Sequence, residues 1–280
     1  LAVPFLFTSS EAEEKLGIEI WIDKDEFLTH EPIVVHYTVT NIGDSMAYLN
    51  FQMIEEDFVI EDENGNRYRS HIRGTYGGGE LFAPGEIHTG NLDIGGRYGV
   101  KGVGEYTCYV HSYPFFCWDA EFLNSNTVEF KVIEPKGEEE KALNLFFEAE
   151  KLKYARSEAG GPDFSKKEPT FLKYQELVDR YPKSVYAPKA LSAAVGVYYY
   201  SRNAEQRRRV IPVCIRLIEG YPDSYYLRAA FTDLLQTYES LKDKEGAIKT
   251  MQNLIKEHPS TGVSEEAERR LKKVEEWEFE

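Results

Sequence analysis

Between Gly17 and Val132 apolar and polar residues alternate with a period of two. Ile18, Ile20 and Ile22 alternate with Glu19, Trp21 and Asp23. Ile33, Val35, Tyr37 and Val39 alternate with Val34, His36, Thr38 and Thr40. Tyr106, Cys108 and Val110 alternate with Thr107, Tyr109 and His111, and Val128, Phe130 and Val132 with Glu129 and Lys131. Successive side chains of an extended chain point to opposite faces, so each run predicts a strand with one face buried. Asn41-Ile42-Gly43-Asp44, Asn64-Gly65, Pro84-Gly85 and Gly102-Val103-Gly104 predict turns between them. Asn64-Gly65 fits a two-residue hairpin, because both residues tolerate positive φ. Fourteen of the 21 glycines fall in this half, as turn-rich all-β structure requires.

Glu134-Pro135-Lys136-Gly137-Glu138-Glu139-Glu140 ends the last strand and places acids at the start of a helix. The period then changes to 3.6, with Leu143, Phe146, Phe147, Glu150 and Tyr154 at helical spacing. A loop is expected at Gly160-Gly161-Pro162. Helices are predicted at roughly 138–158, 168–181, 185–202, 204–220, 224–241, 243–258 and 263–278, three pairs and a charged capping helix.

A phrase recurs in this half. Leu177-Val178-Asp179-Arg180-Tyr181-Pro182-Lys183-Ser184 is followed by Leu217-Ile218-Glu219-Gly220-Tyr221-Pro222-Asp223-Ser224, and then by Leu254-Ile255-Lys256-Glu257-His258-Pro259-Ser260. The prolines are 40 and 37 residues apart, a period that indicates stacked helix pairs. An apolar helix end packs inward, an aromatic residue or His closes it, Pro forbids continuation, and Ser can cap the next helix.

These residues resemble the tetratricopeptide repeat. Arg228–Thr261 fits a 34-residue unit, with Phe231, Leu234, Tyr238, Ala247, Met251, Leu254 and Pro259 at its signature positions and Leu235 where a small residue is usual. The preceding unit fits less regularly, with Gly196 and Tyr199 in its first helix. Val210, Leu217 and Pro222 fit its second after an insertion of about two residues. The resemblance implies a partner-binding concave face lined by the second, fifth, ninth and twelfth positions. These are Ala229, Thr232, Gln236 and Glu239 in the regular unit, and Ala190, Ala193, Val197 and Tyr200 in the other, aligned on Gly196. The alternative reading makes all eight ordinary solvated helix positions. The Tyr-Pro-x-Ser phrase resembles repeats of bacterial envelope lipoproteins and of the Tol-Pal-associated coordinator protein, which implies an extracytoplasmic, periplasmic location.

In the first half, Gly104-Glu105-Tyr106-Thr107-Cys108 places a Tyr two residues before a Cys. That resembles the tyrosine corner of immunoglobulin-like folds, although no Cys stands on the 33–40 strand to complete an inter-sheet bridge. Glu31–Asn41 resembles the second strand of bacterial immunoglobulin-like modules, a group that includes domains resembling intracellular proteinase inhibitors. The expected fold class is therefore all-β plus all-α. An immunoglobulin-like β-sandwich over 1–135 precedes a tetratricopeptide-like α-α solenoid over 136–280.

Charge supports that boundary. Residues 1–135 hold 8 basic and 23 acidic side chains, residues 136–280 hold 25 of each, and the net charge is −15. The acidic half repels phosphate backbones, which disfavours nucleic acid as a partner. Arg207-Arg208-Arg209 reads as a solvated helix face. No run approaches the length of a membrane span, and no basic segment precedes the apolar opening Leu1–Phe7 as a signal peptide requires.

Chemistry-bearing motifs are sparse. No GxSxG, HExxH or GxxxxGK[ST] occurs, and Gly77-Gly78-Gly79 lacks the Lys-Ser/Thr of a phosphate cradle. The histidines, at 30, 36, 71, 88, 111 and 258, are scattered. Glu61–Asn66 has a calcium loop's composition without its final Glu, and doubles as a turn. Cys108 and Cys117 are near enough to bridge or to remain thiols, and Cys214 reads as a buried thiol. One residue of Tyr198-Tyr199-Tyr200 must face outward. The expectation is a non-enzymatic scaffold or adaptor without cofactor or metal, binding a protein or peptide in the repeat groove. The alternative is a proteinase-inhibitor-like or carbohydrate-binding β-sandwich on a helical spacer, acting through an exposed loop at Gly74–Gly99.

Overall fold

The structure is a computed structural model that describes residues 16–70, 79–112, 123–157 and 163–278. The chain divides into two compact units, Leu1–Glu134 and Pro135–Glu280. Leu1–Phe7, Gly77-Gly78, Cys117 and Gly160-Gly161-Pro162 lie outside the described residues.

The first unit is built on strands β1 (Leu16–Ile22), β2 (Glu26–Leu28), β3 (Val34–Asn41), β4 (Ala47–Leu49), β5 (Phe58–Asp62), β6 (Arg67–Tyr68), β7 (Glu80–Phe82), β8 (Ile87–Asp93), β9 (Gly104–Ser112), β10 (Leu123–Asn124) and β11 (Val128–Ile133). Two short helices, α1 (Phe51–Glu56) and α2 (Ile94–Tyr98), interrupt them. One sheet has the order β1-β3-β8 and a second the order β2-β11-β9-β5-β6, with β10 also on β9; β4 and β7 form a small third sheet. Pairing is antiparallel except for β2 with β11, which run parallel with Phe27 opposite Val132.

Both large sheets feed one core. Ile20, Val35, Tyr37, Val39 and Leu92 from the first meet Phe27, Phe58, Ile60, Cys108, Val110, Phe130 and Val132 from the second. Of these, Ile20, Val35, Tyr37, Val39, Cys108, Val110, Phe130 and Val132 are positions the period-two pattern marks as inward; Phe27, Phe58, Ile60 and Leu92 lie outside the runs it marks. Tyr106 stacks on Phe130 (5.4 Å, 13°) and donates its hydroxyl to the Gly102 carbonyl at 2.8 Å. The outer edge of β1 is closed by a side chain. The Asn126 amide accepts from the Ile20 N–H at 2.8 Å and donates to the Ile20 carbonyl at 2.9 Å, standing in for a neighbouring strand.

Two sequence expectations need correction here. Asn64-Gly65 does not form a two-residue hairpin. The Asp62 N–H bonds the Asn66 carbonyl (3.1 Å) and the Gly65 N–H bonds the Asp62 carbonyl (2.9 Å), closing a three-residue loop with Gly65 at φ 77°. The Asp62 carboxylate selects that longer loop by accepting from the N–H groups of Asn64 and Asn66, both at 2.9 Å. Of the loop expected over Gly74–Gly99, residues 74–78 lie outside the described residues, and the rest is not one loop, since β7, β8 and α2 take up 80–82 and 87–98. Outward polar residues on β8 hide its alternation, and Leu92 is its one fully buried position.

The second unit holds nine helices among the described residues. These are α3 (Glu138–Lys153), a 3-10 turn (Phe164–Lys166), α4 (Lys167–Arg180), α5 (Ala187–Tyr198), α6 (Ala204–Arg208), α7 (Val210–Gly220), α8 (Leu227–Ser240), α9 (Lys244–Glu257) and α10 (Gly262–Glu275). The helix expected over 204–220 is broken at Arg209. Pro212 has no N–H for the Arg208 carbonyl, and its ring clashes with that carbonyl. Side chains fix the starts. Asn203 accepts from Glu205 and Gln206, Asp243 accepts from Gly246, and Thr261 with Ser264 forms a capping box.

Candidate functional site

The recurring phrase folds the same way in its first two copies. The Tyr181 and Tyr221 N–H groups close α4 and α7 on the carbonyls of Leu177 and Leu217. The Ser184 and Ser224 N–H groups then bond the Tyr181 and Tyr221 carbonyls, each at 3.0 Å. Their hydroxyls accept from the Tyr186 and Tyr226 N–H groups, each at 3.1 Å, so the serines brace the turn before each next helix rather than cap it; Tyr186 and Tyr226 stand at the N-caps without a side-chain bond. One copy also reaches the other, because the Tyr221 hydroxyl donates to the Pro182 carbonyl at 2.7 Å. In the 228–261 unit, Phe231, Leu234, Tyr238, Ala247, Met251 and Leu254 are all buried. The Tyr238 hydroxyl ties α8 to α9 through Thr250 at 2.7 Å.

This geometry sets the register between α5 and α8. Tyr186 matches Tyr226, Ala190 matches Ala230, and Tyr198 matches Tyr238, a constant offset of 40 residues. Alignment on Gly196 uses an offset one residue shorter. A one-residue slip turns a helix by about 100°, and so misassigns a face. Gly196 has no close approach to justify that alignment, since a Cβ placed there meets nothing within 4 Å. Ala190, predicted to line a groove, is fully buried in the helical core. Ala193 and Val197 are half-buried. The true counterparts of Ala229, Thr232, Gln236 and Glu239 on α5 are Lys189, Ser192, Gly196 and Tyr199.

A surface cleft of about 440 Å³ lies where the C-terminal ends of α5 and α8 meet. It is lined by Tyr199, Tyr200, Ser201, Arg202, Arg207, Gln236, Thr237, Glu239 and Ser240. Of the eight predicted residues it brings together Tyr200, Gln236 and Glu239. Thr232 turns away, its hydroxyl donating to the Arg228 carbonyl and accepting from Arg270, and Ala229 is exposed outside the cleft. The tyrosine run divides as its helical positions demand. Tyr198 is buried, Tyr199 is half-buried, and Tyr200 is 88% exposed.

The cleft is held from both sides. Tyr199 donates its hydroxyl to the Gln236 amide oxygen, and Tyr200 meets the Tyr199 ring edge to face at 4.7 Å. Arg207 donates to the Ser201 carbonyl at 2.9 Å and to the Ser240 carbonyl at 3.3 Å, bracing the last turn of α8 against the chain after α5. Burial, followed by the charge of Asp233, raises the Tyr199 phenol pKa, which keeps it a neutral donor. Tyr200, Arg202 and Glu239 present a ring, a guanidinium and a carboxylate to solvent. Such a set can stack on one side chain of a bound segment and hydrogen-bond its backbone. Arg202, Arg207 and Ser240 follow from no sequence periodicity, because loops and helix ends carry them. Tyr199 follows from the Tyr-Pro-x-Ser register alone.

Other candidate chemistry is placed as follows. Among the described residues no three His, Cys, Asp or Glu side chains converge to hold a metal ion. Cys108 and Cys214 are free buried thiols. Burial pushes Cys108 up to about 12 and raises Cys214 as well, so both are protonated and unreactive. A second cleft of about 440 Å³, on the β2-β11-β9-β5-β6 sheet, is lined by Asp25, Glu61, Asp62, Glu63, Glu105 and Glu129 around Lys131. No helix among the described residues is long and apolar enough to cross a membrane.

A family model of the tetratricopeptide repeat matches residues 236–261. That segment lies inside the 228–261 unit and supplies the α8 side of the cleft. No curated protein matches the chain. Among solved structures, the β-glucosidase EmGH1 from Erythrobacter marinus is 15% identical with a TM-score of 0.27, over 43% of this chain and 16% of that one. The β-glucosidase from Listeria innocua in complex with glucose is 12% identical with a TM-score of 0.24, over 42% and 16%. The yjhA protein from Bacillus subtilis is 16% identical with a TM-score of 0.24, over 44% of this chain and 97% of that one. This chain thus spans about a sixth of the glucosidases' length, and similarities this weak carry no argument about its fold or activity.

Proposed function

We propose that this protein is a non-enzymatic interaction scaffold whose helical unit holds a protein segment in the cleft between α5 and α8. The observation that carries the reading is the tetratricopeptide match over 236–261, whose first residues line a cleft that the preceding helices complete. The 40-residue register and the Tyr221–Pro182 bond between successive phrases support a solenoid. An immunoglobulin-like sandwich for the first unit is supported by the strand orders, by the parallel edge pair β2–β11 and by the Tyr106–Gly102 bond. The acidity of that unit argues for protein over nucleic acid as the partner. A bacterial envelope location rests on the resemblance of the Tyr-Pro-x-Ser phrase alone.

The test is the double variant Tyr200→Ala with Gln236→Ala, confirmed to be folded and titrated against a purified partner. Loss of a central aromatic contact typically costs about 2 kcal/mol or more, so binding should weaken at least about thirtyfold. Unchanged affinity would remove the cleft from the account.

A further inference from the structure

The outer face of the β1-β3-β8 sheet carries an arrangement that the repeat cleft does not use. Two cross-strand rows are fixed by register. Trp21 lies opposite His36, which lies opposite Asn91; Glu19 lies opposite Thr38, which lies opposite Thr89. All six side chains point away from the core. Trp21 is 41% exposed and lies against the His36 ring with centroids 5.4 Å apart and planes 14° apart. His36 is oriented in turn by Asp23, whose carboxylate is 3.0 Å from its Nε2. The indole is therefore held in place while much of its surface stays in water. Beside it, the side chains of Asn91, Thr38, Thr89 and Glu19 have no hydrogen-bond partner among the described residues.

We propose that this face binds a neutral pyranose glycan, with Trp21 as the stacking platform. The chemistry selects the ligand. An indole face is electron-rich and attracts the weakly positive C–H edges on the flat side of a pyranose ring. Around that ring a sugar projects hydroxyls that donate and accept, and Asn91, Thr38 and Thr89 supply complementary donors and acceptors. An apolar protein hot spot would instead be ringed by groups that exclude water, and would leave these polar side chains buried and unpaired. With strands about 4.8 Å apart, the Trp21–His36–Asn91 row spans about 10 Å, the length of a disaccharide. Charge narrows the class further. Glu19 and Asp23 flank the platform in a half of the chain carrying 23 acids against 8 bases, which repels uronic, sulfated and phosphorylated sugars.

The test uses the full chain, titrated by calorimetry and tryptophan fluorescence with cellohexaose, β-1,4-mannohexaose and chitohexaose, and with polygalacturonate as the anionic counterpart. At least one neutral hexasaccharide should saturate, Trp21→Ala should weaken it about tenfold or more, and polygalacturonate should not bind. Trp21→Phe should keep part of the affinity, and Asn91→Ala should weaken binding with the platform intact. The proposal is overturned if no neutral hexasaccharide binds at millimolar concentration, if Trp21→Ala binds as wild type does, or if polygalacturonate binds equally. It is also overturned if Trp21→Ala converts a dimer to a monomer in sedimentation, because a second copy would then cover this face.

Discussion

Replacing Tyr106 by Phe removes one oxygen atom and isolates the bond that pins the turn before β9. The Tyr106 side chain is 4% exposed, its ring stacks on Phe130 and meets Tyr68 edge to face at 5.8 Å, and its hydroxyl donates to the Gly102 carbonyl. Phe keeps the ring contacts, so little apolar burial is lost. What is lost is one hydrogen bond, worth about 0.5–1.5 kcal/mol net, together with the cost of a carbonyl left without its partner, up to about 1–3 kcal/mol. Part of that cost is recovered if water reaches Gly102, so the expected destabilisation is about 1–2 kcal/mol. Tyr106→Ala, which also empties the ring's volume, should cost about 3–5 kcal/mol. Because the chain has two units, global unfolding is a poor readout. Native-state hydrogen exchange on the full chain, read on peptides covering β9 and β11, reports the first unit alone. The reasoning fails if Tyr106→Phe leaves β9 protection within about 0.3 kcal/mol of wild type, or if Phe and Ala cost the same.

Two further outcomes follow from named contacts. Gly90→Ala would place a Cβ 2.3 Å from Cζ of the buried Tyr37, so a drop of about 2–3 kcal/mol is expected in β3 and β8 exchange, and unchanged protection would show that Tyr37 moves freely. Glu168 is held near pKa 2 by hydrogen bonds first from Arg209 and then from Tyr198. A carboxylate depressed on folding contributes stability above its unfolded pKa, near 4.3, and loses it as pH falls toward 2. Glu168 is 48% exposed, so solvent screening holds the effect to about 1 kcal/mol or less. Between pH 6 and pH 2.5 the protection of α4 and α7 should fall further in wild type than in Glu168→Gln, and parallel pH profiles would remove this pair from the account.

Most of the helical unit is legible in the sequence because its determinants are local. Helix ends follow from Pro182, Pro222 and Pro259, and starts from Asn203, Asp243 and Thr261. Pro212 also carries the signal that splits α6 from α7, although periodicity alone runs through it. The inward strand positions are legible for the same reason. Long-range pairings are not, since nothing near Phe27 announces a parallel partner at Val132. The cleft is half legible. Gln236 and Glu239 emerge from the regular repeat unit, whereas Ala190 and Tyr200 are both placed by a one-residue register error that Tyr186 and Tyr226 correct; Tyr200 reaches the cleft all the same, because the chain beyond α5 carries it there. Arg202 and Arg207 reach the cleft from segments with no periodicity to read.

The central claim, a protein segment held between α5 and α8, is tested most directly by photo-crosslinking. A benzoylphenylalanine placed at position 200 of the full chain, expressed in a native host, should capture one dominant protein partner. The same probe at Glu257, exposed at the end of α9, should not capture it. Peptide mapping should place the crosslink within a single short segment of that partner, and a synthetic copy of the segment should compete for capture. Equal capture from both positions, or capture at position 200 that the segment does not compete, would contradict the account.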